Sequence, residues 1–257
     1  MPSRNNTNRF YDAIAEFYPL FYRDWATQME REGLGLRTIF RNQGVTRVLD
    51  ASCGAGAQAV PLAQLNFEVV AADPSTAMLR EAVEIAKQYK VRDKIHFVRC
   101  DFLDLPKMVK GPFDAVISKG NALPHLVEDD EIEATLRNFY NLLRPGGLLV
   151  IGMRDFGPFM EDRPEFIPGL VHHLQDGSEF ITFDIWEWRD GPPVLARQNL
   201  YIVTGQGRSH KVIKRRVVFR PLSTDEVKVV LLEAGFTDIT DQPDRTERVL
   251  VARKPGA

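Results

Sequence analysis

The residues best placed to do chemistry stand at or just beyond the ends of short apolar runs. They are Asp50, Asp73, Asp101, Asn121 and Arg154. In an open parallel α/β sheet, ligands bind at the carboxyl ends of the strands, so residues in these positions converge on one edge. The carboxylates among them could hold a positively charged ligand or accept hydrogen bonds from hydroxyl groups.

A glycine-containing bend, Gly54-Ala55-Gly56, follows the first of these apolar runs. Its spacing formally matches the pattern that binds a dinucleotide pyrophosphate, with Asp73 where a ribose acceptor belongs. However, Asp50 closes the strand and "ASC" intervenes, which puts a carboxylate beside the proposed anion. The arrangement therefore disfavours a diphosphate and favours a cation, such as the sulfonium of S-adenosylmethionine.

Several motifs in order resemble the class I S-adenosylmethionine-dependent methyltransferases. They are "VLDASCGAG", with Ser52 replacing a frequent glycine, then "VVAADPS", "CDFLDLP", "FDAVIS" and "LLRPGGLLVIG". The resemblance covers roughly residues 45 to 155, returns at 222 to 254, and implies S-adenosyl-L-methionine as cofactor. It also implies a cofactor site formed by Tyr18, Arg31, Asp50, Ala51, Gly54, Gly56, Asp73, Pro74, Met78, Asp101, Phe102, Lys119 and His125.

Individual roles within this cofactor site follow from the resemblance. Gly54 and Gly56 would let the backbone approach the cofactor, Asp73 would accept from the ribose, and Asp101 with Phe102 would meet the adenine. Two alternatives stay open. Asp101 could be a turn cap, because aspartate often accepts from backbone amides two or three residues on. Asp50 could order the bend without touching the ligand.

A narrower resemblance, to glycine and sarcosine N-methyltransferases, lies in "VISKGNALPHL" and "VIGMRDF". It implies that Asn121 and Arg154 hold a substrate carboxylate and that His125 lies beside the methionine portion of the cofactor. An arginine fork suits this task because it pairs bidentately with a carboxylate. The chain departs from that family where a cofactor-binding arginine is expected: Gln28 stands there, so Arg31 or tyrosines would substitute.

The expected reaction is direct, in-line methyl transfer to the nitrogen of a small amine such as glycine, sarcosine or dimethylglycine. The residues predicted to act in it are Tyr11, Asn121 and Arg154. The predicted acceptor pocket comprises Asn121, Arg154, Trp186, Trp188 and Tyr201. Simpler explanations are a surface pair of Arg154 with Asp155 or Glu161, a left-handed turn at Asn121, a satisfied loop histidine at His125, and sheet packing of the aromatic residues.

Three other functions remain as alternatives. A small-molecule O-methyltransferase would share the cofactor motifs, but it needs a base or metal to ionise a hydroxyl group. A nicotinamide-dependent oxidoreductase would bind the dinucleotide. A non-catalytic protein would bind the cofactor without methyl transfer.

Positioning these residues requires a doubly wound α/β fold. Short apolar runs without strict alternation, separated by helical stretches, predict a mostly parallel seven-stranded sheet buried on both faces. We expect a methyltransferase domain at residues 45–177 and 222–257, preceded by a helical cap at 1–44 with two helices joined near Tyr18-Pro19. Strand-like stretches with turn signals predict an inserted three-stranded antiparallel meander at 178–221, serving as a lid or subunit contact.

Composition excludes several classes of function. The 257-residue chain has a net charge of −2, which supplies no basic field for nucleic acid. The absence of a long apolar run argues against membrane spanning, and two cysteines indicate free thiols in the cytoplasm. Metal-ligand spacings are not found, so no metal is expected. The expected partners are a small-molecule methyl acceptor and, through the insertion, other copies of the chain in a homo-oligomer.

Overall fold

A computed structural model of the protein describes residues 4–245 and 247–256. The N-terminal region contains α1 (Arg4–Asp12), a 3₁₀ helix (Ala15–Phe21) and α2 (Trp25–Phe40). The segment around Pro19 is therefore a 3₁₀ helix in its own right, where the sequence predicted a simple joint between two helices. Short 3₁₀ segments commonly serve as connectors. The Asp24 side chain caps α2 by accepting from the Thr27 amide.

Alternating strands and helices form the centre of the molecule. They are β1 (Arg47–Asp50), α3 (Ala59–Gln64), β2 (Glu68–Asp73), α4 (Thr76–Gln88), β3 (Ile95–Arg99), α5 (Leu105–Met108), β4 (Phe113–Ser118), α6 (Asp129–Leu142) and β5 (Leu143–Arg154), with 3₁₀ turns at Arg92–Lys94 and Leu123–His125. The pairs β1–β2, β1–β4, β2–β3 and β4–β5 are parallel. Their carboxyl ends therefore meet at one edge, as the sequence predicted.

The rest of the chain adds a second sheet and completes the first. It comprises α7 (Phe156–Asp162), β6 (Phe166–His173), β7 (Glu179–Arg189), β8 (Leu195–Gln206), β9 (Ser209–Phe219), α8 (Thr224–Glu233), β10 (Thr237–Asp244) and β11 (Glu247–Arg253). Across the described ranges, the main sheet has seven strands in the order β10-β11-β5-β4-β1-β2-β3. Strand β11 runs antiparallel to both of its neighbours, β10 and β5. This confirms the predicted mostly parallel seven-stranded sheet.

The inserted antiparallel sheet has four strands, in the order β6-β7-β8-β9, where the sequence predicted three. The additional strand, β6, begins at Phe166 and contains Pro168 and Gly169, which are turn signals in sequence. Proline is tolerated because β6 is an edge strand with an irregularity after Pro168. Residue 169 must be a glycine because β6 lies close to Thr182 of β7: a Cβ there would be 2.2 Å from Thr182 Oγ1.

The N-terminal region, one face of the main sheet and the insertion share a single apolar core. Phe180 of β7 packs against Phe17 and Phe21 of the 3₁₀ helix, with ring centroids 5.7 and 5.9 Å apart. Burial of such large rings gives each contact a stabilising hydrophobic contribution. The cap and the insertion are thereby fixed above the carboxyl edge of the sheet. No helix in the described part of the chain is long and apolar enough to cross a membrane.

Candidate functional site

A cleft opens at the carboxyl edge of the main sheet, between the strand ends and the N-terminal region. Most residues predicted to bind the cofactor line it: Tyr18, Ala51, Gly54, Asp73, Pro74, Met78, Asp101, Phe102, Lys119 and His125, together with Tyr11. Tyr22, Asn8, Gln58 and Leu126 also line the cleft and were not singled out from sequence. Ligand sites in open α/β sheets lie at this edge, so we take the cleft as the candidate cofactor site.

Two glycines leave room inside the cleft. Gly54 has φ +49° and Gly120 has φ +72°, and a Cβ on either would have no heavy atom within 4 Å. The backbone at both positions can therefore approach a ligand closely, as glycine allows. Gly56 differs, because a Cβ there would lie 3.0 Å from Val60 Cγ2 and the residue does not line the cleft. It serves packing of the bend against α3, not the predicted approach to the cofactor.

Asp73, at the end of β2, organises the bend. Its Oδ2 accepts from the Gly54 amide and its Oδ1 from the Ser75 amide, both at 2.9 Å. Burial raises the pKa of Asp73 to about 6, and the two backbone hydrogen bonds oppose that rise. The carboxylate is therefore mostly ionised at neutral pH. Its remaining lone pairs can accept from a pair of hydroxyl groups, as predicted for a ribose.

Asp50 does not reach the cleft. The residue has no exposed surface, its Oδ1 lies 3.4 Å from the Ser52 amide, and its Oδ2 has no partner. Burial raises the pKa of Asp50 to about 8, so the group is largely protonated at neutral pH. Of the two sequence interpretations, the structure supports the one in which Asp50 orders the bend without contacting the ligand.

Asp101 and Phe102 follow β3 and form another wall of the cleft. Asp101 Oδ1 accepts from the amides of Leu103 and Asp104 at 3.0 and 3.1 Å, which is the turn cap considered from sequence. The two roles are compatible, because a carboxylate can accept several hydrogen bonds. Phe102 is fixed edge-on against Phe139, with centroids 5.4 Å apart. It presents an aromatic wall suited to a purine ring.

Tyr11 and His125 form a hydrogen-bonded pair, with 2.8 Å between Tyr11 Oη and His125 Nε2. His125 Nδ1 lies 3.3 Å from the Val218 carbonyl, which can only accept, so Nδ1 carries the proton. Burial lowers the pKa of His125 to about 4, and the ring is neutral at physiological pH. Nε2 must then accept from the Tyr11 hydroxyl, which leaves the phenol oxygen's lone pairs for the cleft.

Lys119, directly after β4, carries a positive charge into the same region. Its Nζ lies 2.6 Å from Glu32 Oε2 and 3.6 Å from Glu247 Oε2. These carboxylates raise the pKa of Lys119 even though burial opposes them, so the ammonium stays charged. Gln28 donates to the other oxygen of Glu32 at 3.0 Å. The position where an arginine was expected thus supports a buried Glu32–Lys119 pair.

Arg31 lies outside the cleft, contrary to the prediction. Its guanidinium is 3.5 Å from Glu32 and 4.0 Å from Asp244, in a neighbouring groove between α2 and the end of β10. The reason is helical geometry: neighbouring residues on a helix point about 100° apart, and Glu32 is the one that faces Lys119. Lys119, and not Arg31, is the cation at the cofactor cleft.

Arg154, at the end of β5, lies under the inserted sheet. Its Cζ is 4.7 Å from the centre of the Phe159 ring and 5.4 Å from that of Trp186. The surface pair with Asp155 or Glu161 is not formed, and Asp155 instead caps α7 by accepting from the Gly157 amide. Among the described residues, the Arg154 guanidinium has no hydrogen bond or ion pair. Its N–H donors are therefore unused within the described part of the chain.

Asn121 ties the loop after β4 to the end of β5. It has φ +66°, as the left-handed turn interpretation anticipated, and its Oδ1 accepts from the Arg154 amide at 3.0 Å. Its own amide donates to the Gly152 carbonyl at 3.2 Å. The side-chain NH₂ remains a donor without a partner among the described residues, so the turn role and the predicted substrate role are compatible.

The predicted aromatic residues of the acceptor pocket divide between two faces of the inserted sheet. Trp186 and Trp188 lie on the inner face, against Phe159. Tyr201 lies on the outer face, stacked on Phe183 with centroids 4.8 Å apart, so its prediction as a pocket residue is wrong. Residues alternate between faces along each strand, but the sequence does not show which set faces inward.

No set of three or more histidine, cysteine, aspartate or glutamate side chains that could hold a metal ion is found within residues 4–245 and 247–256. Cys53 and Cys100 are free and buried, as predicted for thiols. Burial raises the pKa of both, so neither is poised as a thiolate nucleophile.

Comparisons with known proteins agree with the geometry of the cleft. A family model described as "Methyltransferase domain" matches residues 48–147. The chain is 33% identical to a glycine/sarcosine N-methyltransferase of Halorhodospira halochloris over 60% of this chain, spanning 53% of that protein. It is 31% identical to glycine N-methyltransferase of Oryctolagus cuniculus over 72% of this chain and 73% of that enzyme.

A solved structure shares the fold. It is the S-adenosylmethionine-bound amino pentose methyltransferase CalS10 of Micromonospora echinaspora, with a TM-score of 0.68, 20% identity, and coverage of 90% of this chain and 92% of that one. Its likeness agrees with the strand order of the main sheet. The Oryctolagus cuniculus enzyme is matched over 73% of its own length. The chain belongs to the class I S-adenosylmethionine-dependent methyltransferases.

Proposed function

We propose that the protein transfers a methyl group from S-adenosylmethionine to the nitrogen of a small amino acid of the glycine, sarcosine or dimethylglycine type. The observation that carries the proposal is Arg154. Its guanidinium packs over the Phe159 and Trp186 rings and has no hydrogen bond or ion pair among the described residues, while its backbone amide is bound by the Asn121 side chain. A carboxylate would satisfy both the guanidinium and the side-chain NH₂ of Asn121.

The cleft suits the cofactor by its shape and its donors. Gly54 and Gly120 provide open backbone, Asp73 provides acceptors for a ribose, and Phe102 provides an aromatic wall. The polar and apolar walls thus match a nucleoside carrying a charged side arm. When bound, the cofactor supplies an electrophilic methyl group on a positively charged sulfur, whose bond to carbon breaks as the nitrogen–carbon bond forms.

The contribution of the protein is mainly positional. Arg154 and Asn121 would bind the acceptor carboxylate at a fixed place, which leaves only the amine end free to turn toward the cleft. Holding two reactants in line can contribute about 7 to 11 kcal/mol to lowering the barrier. No covalent intermediate with the enzyme is needed.

Tyr11 would assist at the reacting end. Because it donates its proton to neutral His125, its phenol oxygen offers only lone pairs to the cleft. Burial raises the pKa of Tyr11 well above its ordinary value, so the residue stays a neutral phenol. An oxygen of this kind can stabilise partial positive charge on the methyl group and on the amine as the reaction proceeds.

The relatives support an amino acid as acceptor. The matched proteins of Halorhodospira halochloris and Oryctolagus cuniculus are glycine/sarcosine and glycine N-methyltransferases. The alignment with the former spans about half of that protein, so the acceptor is part of the proposal. Arg154 and Asn121 stand at the motif positions that carried the resemblance in sequence.

The test is a methyl-transfer assay with a panel of acceptors at equal concentration. The panel contains glycine, sarcosine, dimethylglycine, ethanolamine and a catechol. We expect transfer to one or more amino acids and at least tenfold lower kcat/KM for ethanolamine, which lacks the carboxylate. Preferential transfer to the catechol would indicate an O-methyltransferase. Binding of S-adenosylmethionine without transfer to any member would contradict the proposal.

A further inference from the structure

Asp184 is a partly buried carboxylate that the proposed reaction has not yet used. It lies on the inner face of β7, two residues before Trp186, and therefore on the same side of the strand. Gln198, on the neighbouring strand, donates to the carboxylate, but Asp184 Oδ1 is buried without a partner. Buried polar atoms are nearly always hydrogen-bonded, so this oxygen is free to accept from a ligand group.

Two more groups without hydrogen-bond partners surround it. The indole Nε1 of Trp186 is buried and has none, and the Arg154 guanidinium lies 5.4 Å from the Trp186 ring. Arg154 and Asp184 interact electrostatically, yet they are not within the 4.0 Å of an ion pair. We call Arg154, Asp184 and Trp186 the acceptor cluster. It holds one positive and one potentially negative group, separated and each lacking a direct partner of opposite charge.

We propose that Asp184 binds the amine of the acceptor while Arg154 binds its carboxylate, so that the acceptor cluster selects amino acids over simple amines and simple acids. This inference rests on the proposed function. A small zwitterion would place opposite charges against both side chains at once. A simple amine would leave Arg154 buried and unpaired, and a simple carboxylate would do the same to Asp184, which is costly in either case.

The geometry also suits the chemistry. Once the ammonium has lost one proton to solvent, a remaining N–H would donate to Asp184 and orient the nitrogen, so that its lone pair can attack the methyl carbon. Trp186 and Phe159 form the apolar surroundings of the cluster, which strengthen both charge-assisted contacts by excluding water. If Asp184 had only a structural role, the hydrogen bond from Gln198 would be enough to hold it. The proposed contact with the amine gives its second oxygen, Oδ1, a function as well.

The experiment compares glycine with acetate, which keeps the carboxylate and lacks the amine. Binding of each is measured by calorimetry to the protein saturated with the demethylated cofactor product, S-adenosylhomocysteine. Wild-type protein is expected to bind glycine at least tenfold more tightly than acetate. In Asp184→Asn, which keeps size and shape, we expect this ratio to fall by about 10- to 100-fold.

Asp190→Asn is the matched control, because Asp190 is an exposed aspartate just after the same strand and forms only a surface ion pair with Arg163. It is expected to keep the wild-type ratio. An unchanged ratio in Asp184→Asn, with cofactor affinity intact, would overturn the inference. Should that variant not fold, equal binding of glycine and acetate by the wild type would overturn it instead.

The outcomes separate this inference from the proposed function. If the wild type methylates glycine or sarcosine but Asp184→Asn keeps the KM of these acceptors, the inference alone fails. If the wild type methylates no amino acid, the proposed function fails as well. A structural role of Asp184 would lower stability without changing the ratio of glycine to acetate binding.

Discussion

The cofactor cleft and the acceptor cluster are built in different ways. The cleft is made largely of short segments that follow β1, β2, β3 and β4, and backbone amides held by the carboxylates of Asp73 and Asp101 shape it. The acceptor cluster combines Arg154 from β5 with Asp184 and Trp186 from the inserted sheet. The proposed selection of the acceptor would depend on side chains from both β5 and the inserted sheet.

This difference suggests which half of the site can stay the same among related proteins and which half can change with the acceptor. A cleft based on backbone geometry can bind the same cofactor in many relatives. An acceptor cluster placed on an inserted sheet can change with a few side chains while the cofactor half stays intact. Variants of the two regions should therefore separate cofactor binding from acceptor binding.

The largest effect is expected on the cofactor side, for Asp73→Asn. The amide NH₂ would face the backbone donors of Gly54 or Ser75, and the ribose would lose a charged acceptor. We expect S-adenosylmethionine affinity to fall about 100-fold by calorimetry. Exposed Asp93, changed to Asn, is the control. Affinity within threefold of wild type would mean that Asp73 does not organise the cleft.

Tyr11→Phe tests the boundary between the cofactor cleft and the acceptor cluster. The variant keeps the ring but removes the oxygen that faces the cleft and bonds His125. We expect kcat to fall about tenfold with the affinity for S-adenosylmethionine changed less than threefold. Tyr89→Phe, at the end of α4, serves as the control. A change in cofactor affinity alone would place Tyr11 in the cofactor region only.

The pH dependence of binding should differ between S-adenosylmethionine and its demethylated product. Burial raises the pKa of Asp73 to about 6 and of Asp50 to about 8, so both carboxyls lose their protons as pH rises through this range. Of the two ligands, only S-adenosylmethionine carries a sulfonium charge, which the ionised carboxylates of Asp73 and Asp50 attract. We expect its affinity relative to the product to rise about fivefold between pH 6 and 8.5.

Asp50→Asn is the variant that sharpens this measurement. It keeps an oxygen for the Ser52 amide but cannot ionise. We expect the upper part of the pH dependence to flatten in this variant. A ratio of affinities that does not change with pH in the wild type would show that neither carboxyl senses the cofactor charge.

The smallest effect is expected for Tyr201→Leu. Tyr201 lies on the outer face of the insertion, whereas Trp186 lies on the inner face next to Arg154. The KM of the acceptor should change less than about twofold in Tyr201→Leu and several-fold in Trp186→Leu. Equal effects of the two changes on KM would place the acceptor away from the acceptor cluster.

The sequence was sufficient for the parts of the site that depend on local structure. Residues at or shortly after the end of a strand, such as Asp73 and Phe102, lie where the strand puts them. The parallel strand order follows from buried apolar runs alternating with helices, and the Ser223–Glu226 capping box that begins α8 is likewise a local sequence pattern. In each case the signal and the structure lie within a few residues of each other.

Most of the errors concern packing between distant segments. Helix rotation decides that Arg31 faces β10, and sheet orientation decides that Tyr201 faces outward. The edge position of β6 permits a strand through Pro168, which in isolation indicates a turn. Asp184 was not recognised because its position on the same side as Arg154 depends on how the inserted sheet packs. Whether the insertion also forms a subunit contact stays a prediction.

The most direct test of the account is the acceptor KM of Arg154→Met, which removes the guanidinium but keeps an unbranched apolar side chain. For glycine or sarcosine, whichever the wild type methylates better, we predict that KM rises about 30- to 100-fold. The affinity for S-adenosylmethionine should stay within twofold of wild type. An unchanged KM with normal cofactor binding would contradict the assignment of Arg154 as the carboxylate-binding residue, and with it the proposed function.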